Sequence, residues 1–414
     1  MLGSECRSVA LTEDRGEEFL TYTHSSLLTT HFSSGAGPRI PRWLRYNYRM
    51  NNSMRNERCL ILADGALDVF SAKTATSMLR YRPERVVGVL DRRHAGRTAR
   101  EVLGVDSGAP VVATLAEGLA LGADTMVIGI APSGGQLPAE WREILSGALR
   151  AGLDLVSGLH VFLGDDPELA ALAAAQNARI VDLRRPPERQ PIAHARAVET
   201  PALRVLTVGT DCNVGKMVAA LELTASASRR GMDARFVATG QTGMLICGSG
   251  ITLDRIPGDF MAGFIEDEVL AAAESDLIVV EGQGCLLHPA YSGVTAALLH
   301  GSLPDAMLLV HHAGRERMRN QPVTIPPLPY WVRLYEESVA PLHPGKVVGI
   351  AINPTGLTAD QAADAVRRAE AETGLPAVDV VKVGADRLLE AVLALPRPQT
   401  LVATTAPQAS VTDE

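Results

Sequence analysis

Residues 204–231, RVLTVGTDCNVGKMVAALELTASASRRG, decide the fold of this chain. An apolar run reaches Gly209, a short polar loop follows, and Gly215 and Lys216 open a helical pattern that ends at Gly231. A strand, a glycine-bounded loop and a helix in that order are the context of a Walker A phosphate loop. Glycines there let backbone N–H groups turn inward, and the helix N-terminus adds positive potential. Gly209, Thr210, Asn213, Gly215, Lys216 and Met217 are therefore the expected cofactor-binding residues, with Lys216 as the point charge. Met217 occupies the place where such loops offer magnesium a hydroxyl, and Val218 is no substitute. That departure weakens metal-dependent phosphoryl transfer.

Downstream, apolar runs at 234–240, 276–284, 306–312, 346–353 and 377–384 alternate with helical patterns such as 358–374. Upstream, RCLILADG and the runs at 85–91, 125–132, 153–159 and 178–184 alternate in the same way. Continuous apolar strands between helices indicate parallel sheets covered on both faces. The stretch 185–201, RPPERQPIAHARAVETP, interrupts the alternation with four prolines. The expected architecture is thus α/β with two doubly wound parallel-sheet domains: a Rossmann-like domain over 57–190 and a P-loop NTPase-like domain over 191–396. A Ser- and Thr-rich flexible leader over 1–56 and a disordered tail over 397–414 are expected at the ends.

A net charge of −8 argues against a nucleic-acid or anionic-membrane surface, which would need clustered Lys and Arg. No apolar run long enough for a membrane span and no secretory signal is evident, so a cytoplasmic protein is expected, acting on a small molecule and assembling as a homo-oligomer. The five cysteines, Cys6, Cys59, Cys212, Cys247 and Cys285, are scattered and form neither a disulfide framework nor a zinc pattern; no metal ligand set is read. In the first domain LADGALD (62–68) lacks GxGxxG. Asp91, with the arginines after it, and the turn APSGGQLP (131–138) are either a place for a nucleotide or coenzyme phosphate or ordinary strand-end turns.

Ligands in such sheets collect at the carboxyl ends of the strands. Glu281, in DLIVVEGQGCLLHPAYSG (276–293), stands at one such end, with Gln283, His288, Tyr291 and Ser292 crowding the loop behind it. Glu281, His288 and Asp211 are the catalytic candidates. Asp211 would face a metal, a lysine or a substrate amine. Gln241 and Thr242 in ATGQTG, and Arg315 and Arg319 in HHAGRERMRN (311–320), join Gln283, Tyr291 and Ser292 as candidate substrate contacts, the arginines through their fork of donors to a carboxylate. Asn353, closing KVVGIAIN, lies where related loops read a base.

The GTD and VGK elements resemble the loop of dethiobiotin synthetase. GTDCNVGKM, ATGQTG, EGQGCLLHPAYSG and HHAGR together resemble the DgcN family of two-domain P-loop proteins, over residues 57–396. The resemblance implies D-glutamate N-acetyltransferase activity with acetyl coenzyme A as donor. A loop that holds a coenzyme's phosphates rather than splitting ATP needs no hydroxyl for magnesium. Two alternatives stand beside this reading. One is an ATP- and Mg2+-dependent ligase that phosphorylates a carboxylate and captures it with an amine, and the other is a non-catalytic nucleotide-binding regulator.

Overall fold

The computed structural model describes residues 57–68, 71–130 and 137–396. The expected leader over 1–56, the tail over 397–414 and most of the 131–138 turn lie outside the described residues. Two all-parallel sheets of six strands account for the architecture. The first comprises β1 (Cys59–Leu62), β2 (Val86–Leu90), β3 (Val111–Val112), β4 (Thr125–Ile128), β5 (Asp154–Ser157) and β6 (Ile180–Asp182), in the order β3-β2-β1-β4-β5-β6. The second comprises β7 (Leu203–Gly209), β8 (Ala234–Val237), β9 (Leu277–Val280), β10 (Ala306–His312), β11 (Lys346–Asn353) and β12 (Ala377–Val378), in the order β12-β11-β10-β7-β9-β8. Every residue of β1, β4, β7 and β9 is buried, which is why these strands read as near-continuous apolar runs rather than alternations.

Two sequence expectations need correction. The run 377–384 is a strand for two residues only. The Asp379 carboxylate then accepts from the N–H groups of Val381 and Lys382 and caps the short helix Val380–Val383. β3, at two residues, is too short to leave a periodic signal and was not anticipated.

β7 is central to the second sheet. It pairs with β10, where Gly209 faces Val310, and with β9, where Leu206 faces Val280. The register sets the loop after Gly209 between the strand end that carries Glu281 and the one that carries His311. Arg204 on β7 is fully buried. Its guanidinium donates to Ala197 O at 2.7 Å and Leu303 O at 2.9 Å and pairs with Asp305 at 2.7 Å. A buried cation satisfied on all sides ties the segment leading into β7 to the strand itself.

The two halves share a packed seam. The helix Lys73–Tyr81, after β1, lies against the helix Gln241–Cys247, after β8, and Leu245 is buried in the core of the first domain. Thr74 Oγ1 and Thr242 Oγ1 are 3.0 Å apart, Tyr81 OH donates to Glu222 at 3.0 Å, and Arg82 donates to Ile246 O at 2.6 Å. No helix among the described residues is long and apolar enough to cross a membrane.

Candidate functional site

The loop after β7 holds five residues between Gly209 and Gly215, one more than the GxxxxGK arrangement allows. The extra length is absorbed by two left-handed residues, Asn213 at φ 52° and Gly215 at φ 111°. Asparagine tolerates that region and glycine favours it. Gly215 caps the helix Lys216–Arg229 without a side-chain partner, so the first N–H groups of that helix remain directed into the loop. Lys216 is 6% exposed and donates to Asp211 O at 2.8 Å, and burial pulls its pKa down to about 8. Met217, 4% exposed, belongs to the core beneath the loop. Thr210 is fully buried, with Oγ1 3.0 Å from His311 Nδ1. Asn353 does not face the cleft beside the loop. It donates to Val214 O at 3.0 Å and accepts from Thr355, bracing the loop from behind.

Glu281 follows β9 directly and is 5% exposed. Thr239 N donates to its Oε2 at 3.0 Å, and Thr239 Oγ1 donates to its backbone oxygen at 2.8 Å. Burial pushes the carboxyl up to about 7, against the opposing pull of the N–H groups of Thr239 and Gly240 and the ammonium groups of Lys73 and Lys216. The next residue must be glycine. A Cβ on Gly282 would lie 1.6 Å from Thr207 O and 3.1 Å from Lys216 Cδ, so the backbone after Glu281 packs on β7 and the Lys216 stem only because that side chain is absent. Gln283 Nε2 donates to Thr239 Oγ1 at 3.1 Å and extends the same network.

Asp211 and His288 occupy different positions from those expected of catalytic groups. Asp211 is fully buried and both its oxygens are engaged: Oδ1 accepts from Cys212 N, and Oδ2 from Arg315 Nη1 and Arg319 N, each at 2.7 Å. It anchors the loop after β10 to the phosphate loop. Arg315 is correspondingly committed, donating also to Cys212 O at 2.7 Å, and is not the free carboxylate fork the sequence proposed. His288 accepts from Ala290 N at Nδ1, which assigns the proton to Nε2, and Nε2 then donates to Arg319 O at 3.2 Å. With both nitrogens occupied and its ring stacked on Tyr291, His288 shapes the loop rather than presenting a base to the cleft. Among the described residues, ligand atoms of Asp211, Cys212 and His288 converge within 4.8 Å, but the bonds just given occupy the carboxylate and the imidazole.

A cleft of about 410 Å³ opens in front of the loop. Cys212 to Met217, Thr239 to Thr242, Glu281 to Gly284, Tyr291 and Arg319 line it, so Asn213, Gly215, Lys216, Met217, Gln241, Thr242, Gln283, Tyr291 and Arg319 of the sequence candidates meet there. Gly209, Thr210, Ser292 and Arg315 lie outside its lining. Ser71, Lys73 and Thr74 come to the cleft from the first domain, and sequence reading missed all three. They follow no glycine motif, and only tertiary docking of the helix Lys73–Tyr81 brings them there. Asp91, by contrast, is engaged within its own strand end, where its buried carboxylate accepts from Gly65 N at 2.7 Å and pairs with His94 at 2.5 Å.

Comparison with known proteins gives a consistent result. Residues 191–389 match the family model of the DUF1611 P-loop domain of unknown function, and residues 92–186 that of the DUF1611 Rossmann-like domain. A protein from Tritonibacter scottomollicae named D-glutamate N-acetyltransferase is 40% identical over 342 residues, covering 81% of this chain and 98% of its own length. A protein of the same name from a Pseudoalteromonas species is 36% identical over 332 residues, covering 80% and 97%. The crystal structure of a DUF1611 family protein from Anabaena variabilis is 42% identical, with a TM-score of 0.78, and covers 82% of this chain and 99% of that one.

Proposed function

The chain belongs to the DUF1611 family, and on that premise we propose that it is an N-acetyltransferase that moves an acetyl group from a phosphate-bearing thioester, acetyl coenzyme A, to the amino group of an amino acid. The observation that carries the reading is Glu281, a carboxylate buried in the wall of the cleft opposite the phosphate loop and ionising at about 7. An ammonium group must lose a proton before its nitrogen can attack a thioester carbonyl. A base that ionises near neutrality accepts that proton without holding it too weakly or too tightly. The C–N bond then forms, the C–S bond breaks, the second proton lost by the nitrogen goes to the departing thiolate, and the first leaves Glu281 for solvent. Lys216 and the N–H groups at the start of its helix supply the positive potential for the donor's phosphates. Arg319 is the fork for the acceptor's carboxylate.

The placement of Met217 in the core, and of the Thr210 hydroxyl against His311, leaves the loop's own hydroxyl turned away from the cleft. That favours coenzyme binding over ATP-dependent ligation. The test is transfer of radiolabelled acetyl groups from acetyl coenzyme A to a panel of D- and L-amino acids by the purified full chain. Product formation without ATP or magnesium is expected. Transfer to no amine, or amide formation only with ATP and release of ADP, would overturn the reading.

A further inference from the structure

The cations around the cleft divide into those already engaged and those that are not. Arg184 donates to Gly158 O at 2.6 Å and pairs with Asp254. Arg315 is bound to Asp211, and Lys216 to the carbonyl of its own loop. Lys73 and the Arg319 guanidinium line the same cleft from opposite domains, and among the described residues neither side chain has a hydrogen-bond or ion-pair partner. Each sits in the field of the other, and Glu281 lies close enough to act on Lys73 as well. Two like charges facing a shared cavity, with a carboxylate in the same wall, form a surface complementary to a ligand with two anionic groups and one ammonium.

We propose that Lys73, supplied by the first helix of the Rossmann-like domain, holds the side-chain carboxylate of a dicarboxylic acceptor amino acid and so sets the preference for an acidic over a neutral side chain. This rests on the acyl-transfer reading for the position of the amine. The assignment follows from the donors. The planar fork of Arg319 suits the α-carboxylate common to all amino acids, whereas the single ammonium of Lys73, on a flexible stem from the facing domain, suits a carboxylate at the end of a side chain. The first domain thereby acquires a role in the reaction. The helix Lys73–Tyr81 is fixed on the second domain by the Thr74–Thr242 and Arg82–Ile246 hydrogen bonds, so the position of Lys73 is set by the seam.

The experiment is calorimetric titration of the full chain, wild type and the variants Lys73→Met and Lys73→Arg, with D-glutamate, L-glutamate and the corresponding glutamines. Loss of a charge-assisted contact predicts that K73M weakens glutamate binding by roughly tenfold or more. Glutamine and acetyl coenzyme A binding should stay unchanged, and K73R should retain most of the glutamate affinity. Because the Lys73 side chain is exposed to the cleft and bonds to nothing else, the fold should tolerate both changes. Equal glutamate affinity in wild type and K73M would overturn the proposal. So would a parallel loss for glutamate and glutamine, or no binding of either glutamate to the wild type. Lys73-dependent glutamate binding without acetyl transfer would instead refute the transferase reading and leave the carboxylate site standing.

Discussion

Glutamine in place of Glu281 should make the protein more stable and inactive, with a pH dependence that identifies the cause. The buried carboxyl ionises at about 7 against an ordinary 4.5. The difference, 7 − 4.5, is about 2.5, which at about 1.36 kcal/mol per pKa unit puts about 3 kcal/mol at stake. The folded chain holds the Glu281 proton more tightly than the unfolded chain does. The wild type is therefore unpenalised below pH 4.5, loses stability progressively from pH 4.5 to 7, and carries the full penalty above 7. An amide is neutral throughout, and its oxygen can still accept the bond from Thr239 N. E281Q should thus match the wild type near pH 4.5 and exceed it by about 3 kcal/mol at pH 8. Urea unfolding of both proteins at several pH values measures the gap. In the same proteins, kcat/KM of the wild type should rise through pH 7 as the base ionises. E281Q should lose that limb and about 100-fold or more of the rate. A stability gap that stays constant from pH 5 to pH 8 would refute the claim that the fold suppresses ionisation at this position.

Three further outcomes test the loop and its supports. Lys216→Met should abolish binding of acetyl coenzyme A by calorimetry. It should also stabilise the unliganded protein at pH 7, because burial holds the ammonium near 8; that gain should shrink as pH rises from 8 to 10.5, where the unfolded chain also loses the charge. Met217→Thr restores the hydroxyl of an ATP-splitting loop but removes a core side chain. A cost of about 2–4 kcal/mol in chemical denaturation is expected, and acetyl transfer should remain indifferent to magnesium. Gly282→Ala would set a methyl 1.6 Å from Thr207 O and 3.1 Å from Lys216 Cδ. Soluble, folded G282A with normal transfer would show that the β7 to β9 seam is looser than described.

The second domain was legible because its information is local. An apolar strand, a left-handed glycine and a helix that opens with lysine are contiguous, and each is dictated by its own residues. Glu281 was equally accessible, since a strand end facing a phosphate loop is fixed by parallel topology. Residue type pointed to His288, Asp211 and Arg315, but function depends on unspent hydrogen-bonding capacity, and their partners come from distant segments. Asp211 receives Arg315 and the backbone of Arg319 more than 100 residues later. Nothing around position 211 announces that bond. Lys73 was missed for the converse reason, because an ordinary helical lysine reaches the cleft only when its helix docks on another domain.

The first domain has the strand order of a dinucleotide-binding fold, and its described strand-end groups are engaged with one another. The strand order of the first domain reverses between β1 and β4, where a dinucleotide fold opens its crevice. Among the described residues at that edge the acidic groups are already satisfied. Asp91 binds Gly65 N and His94, and Asp64 accepts from Arg92 N at 2.9 Å and Nε at 2.8 Å. The turn after β1 is braced by its own side chains, and the helix that follows starts at Lys73, at the edge of the neighbouring domain's cleft. Thr252 Oγ1 donating to Leu183 O at 3.1 Å and Arg184 pairing with Asp254 hold the other side of the seam. Cross-links at both sides oppose a hinge that opens the cleft by swinging whole domains. The loop 313–319 is held by its own backbone bonds, Arg315 N to His312 O at 3.0 Å and Met318 N to Val323 O at 2.8 Å, by the buried Met318, and by the bonds to Asp211. Asp211→Asn would weaken the Arg315 ion pair while keeping an acceptor for Arg319 N, and so should raise KM for the amino acid more than it lowers kcat. An unchanged KM would show that this loop is held by packing alone.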